Sequence, residues 1–314
     1  MLDLHRLRFL HEFATRGSIA KAAAALGYTP SAVSQQLATL EREVGAALLD
    51  RTARRAELTD AGRRLAAHAE RILAMVEEAE ADLSARATEP AGRIGATAIA
   101  SAAVAFAPAL ARSLRAHPRL TLVLRQTQGR EGLRQVRSGA VDVAIVDDWT
   151  GRLTEDLDSS ILTSYHLIRD ELVLCVPRAH QAATGPVDLR ALRDEPWLAA
   201  PTGEPSRSAV DRLLSAAGIV PSVLSEFEGL STIVSLVARG IGIAIVPRMS
   251  VAVAERRVVI RDLPHGLNLA RDIHAVVRTA SVRRPAVAVI VGSLTAAAKG
   301  MAVPRSAVSY PGGT

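Results

Sequence analysis

Residues 26–45 read LGYTPSAVSQQLATLEREVG, and their polar side chains are of the types that read nucleic-acid bases. At 100° per residue, Val33, Leu37, Leu40 and Val44 fall on one side of a helix. Ser31, Gln35, Ala38 and Arg42 fall on the other, with Ser34 and Thr39 flanking them. Short side chains let a helix backbone approach a groove floor. Glutamine pairs bidentately with adenine, and serine hydroxyls reach bases or phosphates. A merely solvated helix usually carries Glu and Lys on such a face. Here Glu41 and Glu43 lie towards the C-terminal end, away from the turn that enters a groove. Just beyond, Arg51, Arg54 and Arg55 offer guanidinium groups to backbone phosphates or a minor groove. Alone, such a run reads as solvated surface; after a helix-turn-helix it reads as the positioning contact.

Three elements must hold that face. The stripe Leu4, Leu7, Phe9, Leu10 and Phe13 predicts a first helix. Gly17 ends it and Ser18 can N-cap the next, IAKAAAAL, which stops at Gly27. Thr29 is a suitable N-cap for the third, with Pro30 at the first helical position, where a missing N–H costs nothing. That helix runs to about Val44 and stops at Gly45. Two short helices joined by Gly-Tyr-Thr behind a leading helix make a helix-turn-helix. LLDRTARRAELT, basic between apolar flanks, fits a β-hairpin wing. From there Leu58, Gly62, Leu65, Ala69, Ile72, Val76, Ala79 and Leu83 recur at an average spacing of 3.5, a coiled-coil seam. Such a helix packs either on its own domain or against a second chain. The charge on its other faces favours dimerisation.

TEPAG, residues 88–92, breaks the helical pattern. Strand and helix patterns then alternate from RIGATAIA to IAIVP, which argues for parallel sheets with helices on both faces. IHAVVR and AVAVIVGSLTAAAKG, near the end, resemble the early elements more than the middle ones.

At 314 residues the chain has room for about two domains. No apolar run approaches the ~18 residues of a membrane span, and MLDLHRLRFLHEF lacks the pattern of a signal peptide. These features lead to the expectation of a cytoplasmic protein. Cys175, the single cysteine, forms no internal disulfide; it reads as a buried strand residue, with a redox-sensing thiol as the alternative. The net charge of +6 is weak evidence for nucleic acid, because residues 1–87 are neutral overall and the excess lies beyond them. The local cluster Arg51, Arg54, Arg55, Arg63 and Arg64 is better evidence. The histidines are scattered, there is no cysteine cluster, and neither a nucleophile elbow nor a phosphate loop appears. No catalytic or metal site is indicated.

The order of a leading helix, SIAKAAAALGYTPSAVSQQLATLEREVGAALLDRTARRAELTDAG, a long helix and an α/β region resembles the LysR-type transcriptional regulators, to about residue 300. Ala22-Ala23, Leu26, Ser34, Leu40-Glu41, Gly45, Leu48, Arg51, Leu58-Thr59 and Ala61-Gly62 stand in family positions. One departure matters: the family commonly has Gln-Pro where Pro30-Ser31 stand here, and Gln35 replaces a common arginine. Operator preference therefore does not transfer from typical members.

The resemblance implies a multidomain chain. An all-α winged helix-turn-helix (1–58) and a long dimerisation linker helix (59–87) precede an α/β effector domain like the periplasmic binding proteins (88–302), with a disordered tail at 303–314. Two subdomains, 91–165 with 266–302 and 166–265, are joined by crossovers near 165–169 and 262–267. A small-molecule effector, with no other cofactor, is expected between them, where strand ends and helix N-termini converge. Matching positions are Ser101, Thr127, Gln128, Asp147, Thr202, Phe227, Glu228 and Pro247. Asp147 and Glu228 suit a cationic or hydroxylated ligand; helix N-termini suit an anion. The expected DNA contacts are Thr29, Pro30, Ser31, Ser34, Gln35, Arg51, Arg54 and Arg55, on double-stranded promoter DNA. The implied assembly is a homodimer through the linker helix and then a homotetramer. Two rival readings are a catalytic α/β domain with a DNA-binding head, which needs a nucleophile–base pair that the sequence does not offer, and a binding protein whose first 87 residues only dimerise.

Overall fold

Each of the first three helices starts on a side-chain cap and stops on a left-handed glycine. In the computed structural model, which describes residues 2–50, 56–84, 89–251, 257–264, 266–267 and 269–301, α1 (Leu4–Arg16) begins where Asp3 accepts from the His5 and Arg6 N–H groups. α2 (Ile19–Leu26) begins on Ser18, and α3 (Pro30–Val44) on Thr29, whose Oγ1 accepts from the Ala32 N–H. Gly17, Gly27 and Gly45 end them at φ of 69°, 73° and 67°, a region that penalises any side chain. Leu7, Phe9, Leu10, Phe13, Val33, Leu37 and Leu40 close the core between these helices. Leu4, expected in the same stripe, is instead 44% exposed. It is the first residue of α1, where the stripe is no longer covered.

β1 (Leu49–Asp50) pairs antiparallel with β2 (Glu57–Leu58), the two arms of the expected wing. Residues 51–55, with Arg51, Arg54 and Arg55, lie outside the described residues. α4 (Asp60–Ser84) divides the expected coiled-coil seam in two. Ala69 is buried in the core of the first three helices, with Leu65 and Ile72 packed beside it. Gly62 faces the Leu48 carbonyl so closely that a Cβ there would stand 2.1 Å from that oxygen. Further along the seam, Val76 is half-buried, Ala79 is exposed and Leu83 is 76% exposed. The first half of the seam thus serves the helix's own domain, and the end of the second half is uncovered.

The rest of the chain follows as β3 (Gly92–Ala98), α5 (Ala100–Ala116), β4 (Leu120–Gln126), α6 (Gly129–Arg137), β5 (Val143–Asp148), α7 (Leu153–Asp156) and β6 (Leu162–Pro177). Then come β7 (Pro196–Ala199), α8 (Pro205–Ala216), β8 (Val223–Glu226), α9 (Leu230–Val237), β9 (Ala244–Pro247), β10 (Val258–Asp262), β11 (Ala270–Arg278) and α10 (Pro285–Met301). β3 runs parallel to β4 and β5, and β7 to β8. β11 is antiparallel to β5 and β6, and β9 and β10 are antiparallel to β6. The sheets are therefore mixed, not purely parallel. β6 leads the chain out of one subdomain and β11 receives it on its return, and a strand that leaves while its neighbours return runs against them.

β6 pairs with β11 as far as Glu171, then with β9 and β10 from Leu172 onward. The change of partner falls later than the expected 165–169. The strand changes character there: Leu172–Val176 is a continuous buried apolar run, whereas before it only Leu162, Leu167 and Asp170 are buried. The return passage lies between the end of β10 and the start of β11. One core gathers Ile94, Phe106, Ile145, Ile273, Ile290 and Leu294. Another gathers Leu172, Leu174, Trp197, Leu213 and Ile245. α4 is tied to the first of these subdomains by Glu70–Arg137 at 2.7 Å and Asp82–Arg283 at 3.0 Å. The expected tail, 303–314, lies outside the described residues.

Candidate DNA-reading face and effector cleft

On α3 the apolar side is sealed, and Thr29, Pro30, Ser31, Gln35 and Arg42 are exposed, with Ser34, Ala38 and Thr39 half-buried. Thr29 Oγ1 serves the helix cap and also lies 3.0 Å from Ser31 Oγ. The Gln35 side chain makes no hydrogen bond among the described residues. Arg42 donates to Thr39 Oγ1 at 2.9 Å, which holds it along the helix. The two glutamates of this helix are occupied elsewhere. Glu41 Oε1 accepts from the Leu48 and Leu49 N–H groups at 2.9 and 3.0 Å, anchoring the start of the wing. Glu43 forms a forked pair with Arg6 at 2.6 and 2.9 Å. The outward surface that remains is short and polar.

The α/β region brings four elements to one buried guanidinium. Arg271, at the start of β11, is 2% exposed. It donates from Nε and Nη2 to Asp170 Oδ2 on β6 at 3.0 and 2.9 Å. It also donates to Ser101 Oγ in the first turn of α5 at 2.7 Å and to Asp147 Oδ2 on β5 at 3.2 Å. The other Asp170 oxygen accepts from the Met249 N–H just beyond β9 at 2.9 Å. Burial pushes the Asp170 carboxyl above the usual carboxylate range, although Arg271 and the Met249 N–H act against that shift. The outgoing strand β6, the start of β11 and the backbone just beyond β9 therefore meet at this ion pair. Next to Asp147, burial alone would raise Asp148, but N–H groups of Leu153, Thr150 and Gly151 and the Thr150 hydroxyl outweigh it and hold that carboxyl below its ordinary value.

Trp149 follows β5 and reaches across the cleft. Its Nε1–H donates to Asp147 Oδ2 at 2.8 Å, and Arg271 Cζ lies 5.5 Å from its ring centre. The ring packs against the second core. There it forms one wall of a recess whose other walls include Leu172, Ala199, Val210, Ile245 and Pro247, with Ser206 as a polar group.

Of the residues expected around an effector, Ser101 and Asp147 meet at Arg271, and Pro247 lines the recess. Gly129, directly after Thr127 and Gln128, lies so near Asp147 that a Cβ there would stand 2.8 Å from Oδ1. The Thr202 hydroxyl donates to Glu226 Oε1 at 2.9 Å, and Glu226 in turn pairs with Arg207. Phe227 packs into the core between β9 and α9. Gln128 and Glu228 are exposed. Sequence reasoning missed Arg271, Asp170 and Trp149. The available signal was an Arg-Asp pair set into each of two apolar strand runs, LIRDELVLC and LARDIHAVV: a charge at a strand position has to find a partner.

Two family descriptions match the chain: "Bacterial regulatory helix-turn-helix protein, lysR family" over residues 4–63, and "LysR substrate binding domain" over residues 85–299. The chain belongs to the LysR family. It is a LysR-type transcriptional regulator with a DNA-binding helix-turn-helix domain and an effector-binding substrate domain. Among similar proteins, a "Probable RuBisCO transcriptional regulator" of Cyanophora paradoxa is 30% identical over 260 residues, covering 80% of this chain and 78% of that one. "HTH-type transcriptional regulator YofA" of Bacillus subtilis (strain 168) is 30% identical over 261 residues, covering 82% and 86%. Among solved structures, full-length OxyR of Pseudomonas aeruginosa, in a cysteine-to-aspartate variant, matches with a TM-score of 0.69 at 20% identity over 94% of this chain and 98% of that one. HinK, a LysR family regulator from the same organism, matches with a TM-score of 0.58 at 22% identity over 96% and 100%. These two likenesses concern the fold. Among the described residues, no helix of this LysR-family chain is long and apolar enough to cross a membrane.

Proposed function

We propose that this regulator reads promoter DNA with the exposed face of α3, chiefly Ser31, Ser34 and Gln35, with Thr29 and Pro30 at the helix start. Arg51, Arg54 and Arg55 hold the backbone or the minor groove beside it. The observation that carries this reading is the α3 surface itself: its glutamates are withdrawn to Leu48, Leu49 and Arg6, which leaves a short polar face on which Gln35 is exposed. The effector enters the cleft between the subdomains, among Ser101, Thr127, Gln128, Asp147, Thr202, Phe227, Glu228 and Pro247. The ion pair of Arg271 and Asp170 supports that placement, because it joins β6 to β11 where the chain leaves and re-enters the first subdomain, and Asp170 also holds the Met249 N–H of the second, which couples cleft geometry to subdomain orientation. Two chains pair through the uncovered end of α4, and the assembly is a homotetramer working in the cytoplasm. The chain acts by binding, not by catalysis.

The test is selection of DNA by the full chain from a random-sequence pool. Recovery of a defined motif supports the reading. Retention of DNA without sequence preference, at any salt concentration, contradicts it.

A further inference from the structure

The Trp149 indole fills a place in the cleft that resembles a ligand's more than a core residue's. Its backbone directly follows β5 of one subdomain, yet its ring packs against the core of the other. Its Nε1–H donates to Asp147, and the ring lies beside the Arg271 guanidinium. An apolar recess, one acceptor for an N–H and one cation near the ring are the elements of a site for an electron-rich aromatic molecule. The charge balance points the same way. Asp147 and Asp170 together outnumber Arg271, whose guanidinium is already shared among Asp170, Asp147 and Ser101. An anion entering here meets no uncommitted cation in this cluster and faces two carboxylates. Asp147 also stands against Gly129 at the start of α6, so a carboxylate already occupies the approach to that helix end.

We infer that Trp149 is a built-in stand-in for the effector, and that the effector is a small uncharged or cationic aromatic carrying an N–H or O–H donor. It takes the indole's place against Leu172, Val210 and Ile245 and donates to Asp147. Trp149 then swings out, and the link it makes between the subdomains is released. This assignment rests on the cleft being the effector site, and it adds the chemical class and the residue that must move.

The probe is indole, tested by calorimetry on the full-length protein as wild type and as Trp149→Ala. Trp149→Ala is expected to bind indole saturably, at least about tenfold more tightly than wild type, because no side chain competes for the recess. Adding Asp147→Ala to that variant is expected to weaken indole about tenfold, the worth of a hydrogen bond to a charged acceptor. Benzoate, an aromatic anion, is expected to bind neither. Equal indole affinity in wild type and Trp149→Ala, no binding to a folded Trp149→Ala, or preference for benzoate each overturns the inference. If Trp149→Ala does not fold, Trp197→Phe leaves Trp149 as the sole tryptophan. Indole analogues that do not fluoresce must then raise acrylamide quenching of Trp149 severalfold, and unchanged quenching at saturation overturns the inference. A metabolite that stabilises the chain without moving Trp149 leaves the cleft reading intact and removes this one.

Discussion

Replacing Arg271 by Met removes the cation hydrogen-bonded to a fully buried carboxylate. The Asp170 side chain is 0% and the Arg271 side chain 2% exposed. In Arg271→Met, Asp170 keeps only the Met249 N–H of its described partners. Breaking a buried pair from one side costs about 3–5 kcal/mol, a large share of the ~5–15 kcal/mol that holds a domain folded. The sign of the pH dependence follows from the direction of the Asp170 shift. Its native pKa is already raised by burial, so between the ordinary carboxylate value and the native one the folded state holds more protons than the unfolded state. Stability therefore falls as pH rises through that window. Without Arg271 the native value climbs further, the window extends upward, and the loss deepens by at most about 1.4 kcal/mol per pH unit within it. Denaturant unfolding of wild type and Arg271→Met at pH 5 and pH 8 measures this. The variant is expected to lose most at pH 8 and distinctly less at pH 5. Adding Asp170→Asn, which still accepts from the Met249 N–H without a charge, is expected to recover much of the loss at pH 8. Equal losses at both pH values, or no recovery with Asn, refutes the reasoning.

Other expectations follow from packing and from the surface. Gly62→Ala pushes a methyl into the Leu48 carbonyl; it is expected to cost about 1–3 kcal/mol in thermal unfolding and to weaken DNA binding through the displaced wing. Leu83→Glu places a charge on the uncovered end of α4 and is expected to shift the sedimentation profile towards monomer; an unchanged profile argues against pairing through that helix.

The helix-turn-helix was legible almost residue by residue, because its signals are local. Thr29, Pro30 and Gly45 specify a start and a stop by backbone chemistry alone, and Val33, Leu37 and Leu40 declare one face. The roles of Glu41 and Glu43 were not legible, since their partners, the Leu48 and Leu49 amides and Arg6, are fixed only once the wing and α1 pack. Leu65 and Ile72 show why the seam of α4 misled in part: a 3.5 spacing states that a face is apolar, not whose surface covers it. In the α/β region the early strands and helices read well from alternation. β6 did not, because its first half pairs with a strand about a hundred residues away and carries polar residues such as His166 and Arg169. Ser101, Asp147 and Pro247 were found from strand ends. Arg271, Asp170 and Trp149 depend on a meeting of β5, β6 and β11 that no local pattern encodes.

The central claim is that the α3 face discriminates between base sequences. Its most direct test is fluorescence anisotropy on the motif selected by the wild-type chain and on a scrambled duplex, at one fixed salt concentration, for wild type, Gln35→Ala and Arg54→Ala. Gln35→Ala is expected to lose about 1–3 kcal/mol on the motif and little on the scrambled duplex. Arg54→Ala is expected to weaken both about equally. A Gln35→Ala chain that keeps the wild-type ratio between the two duplexes contradicts the account.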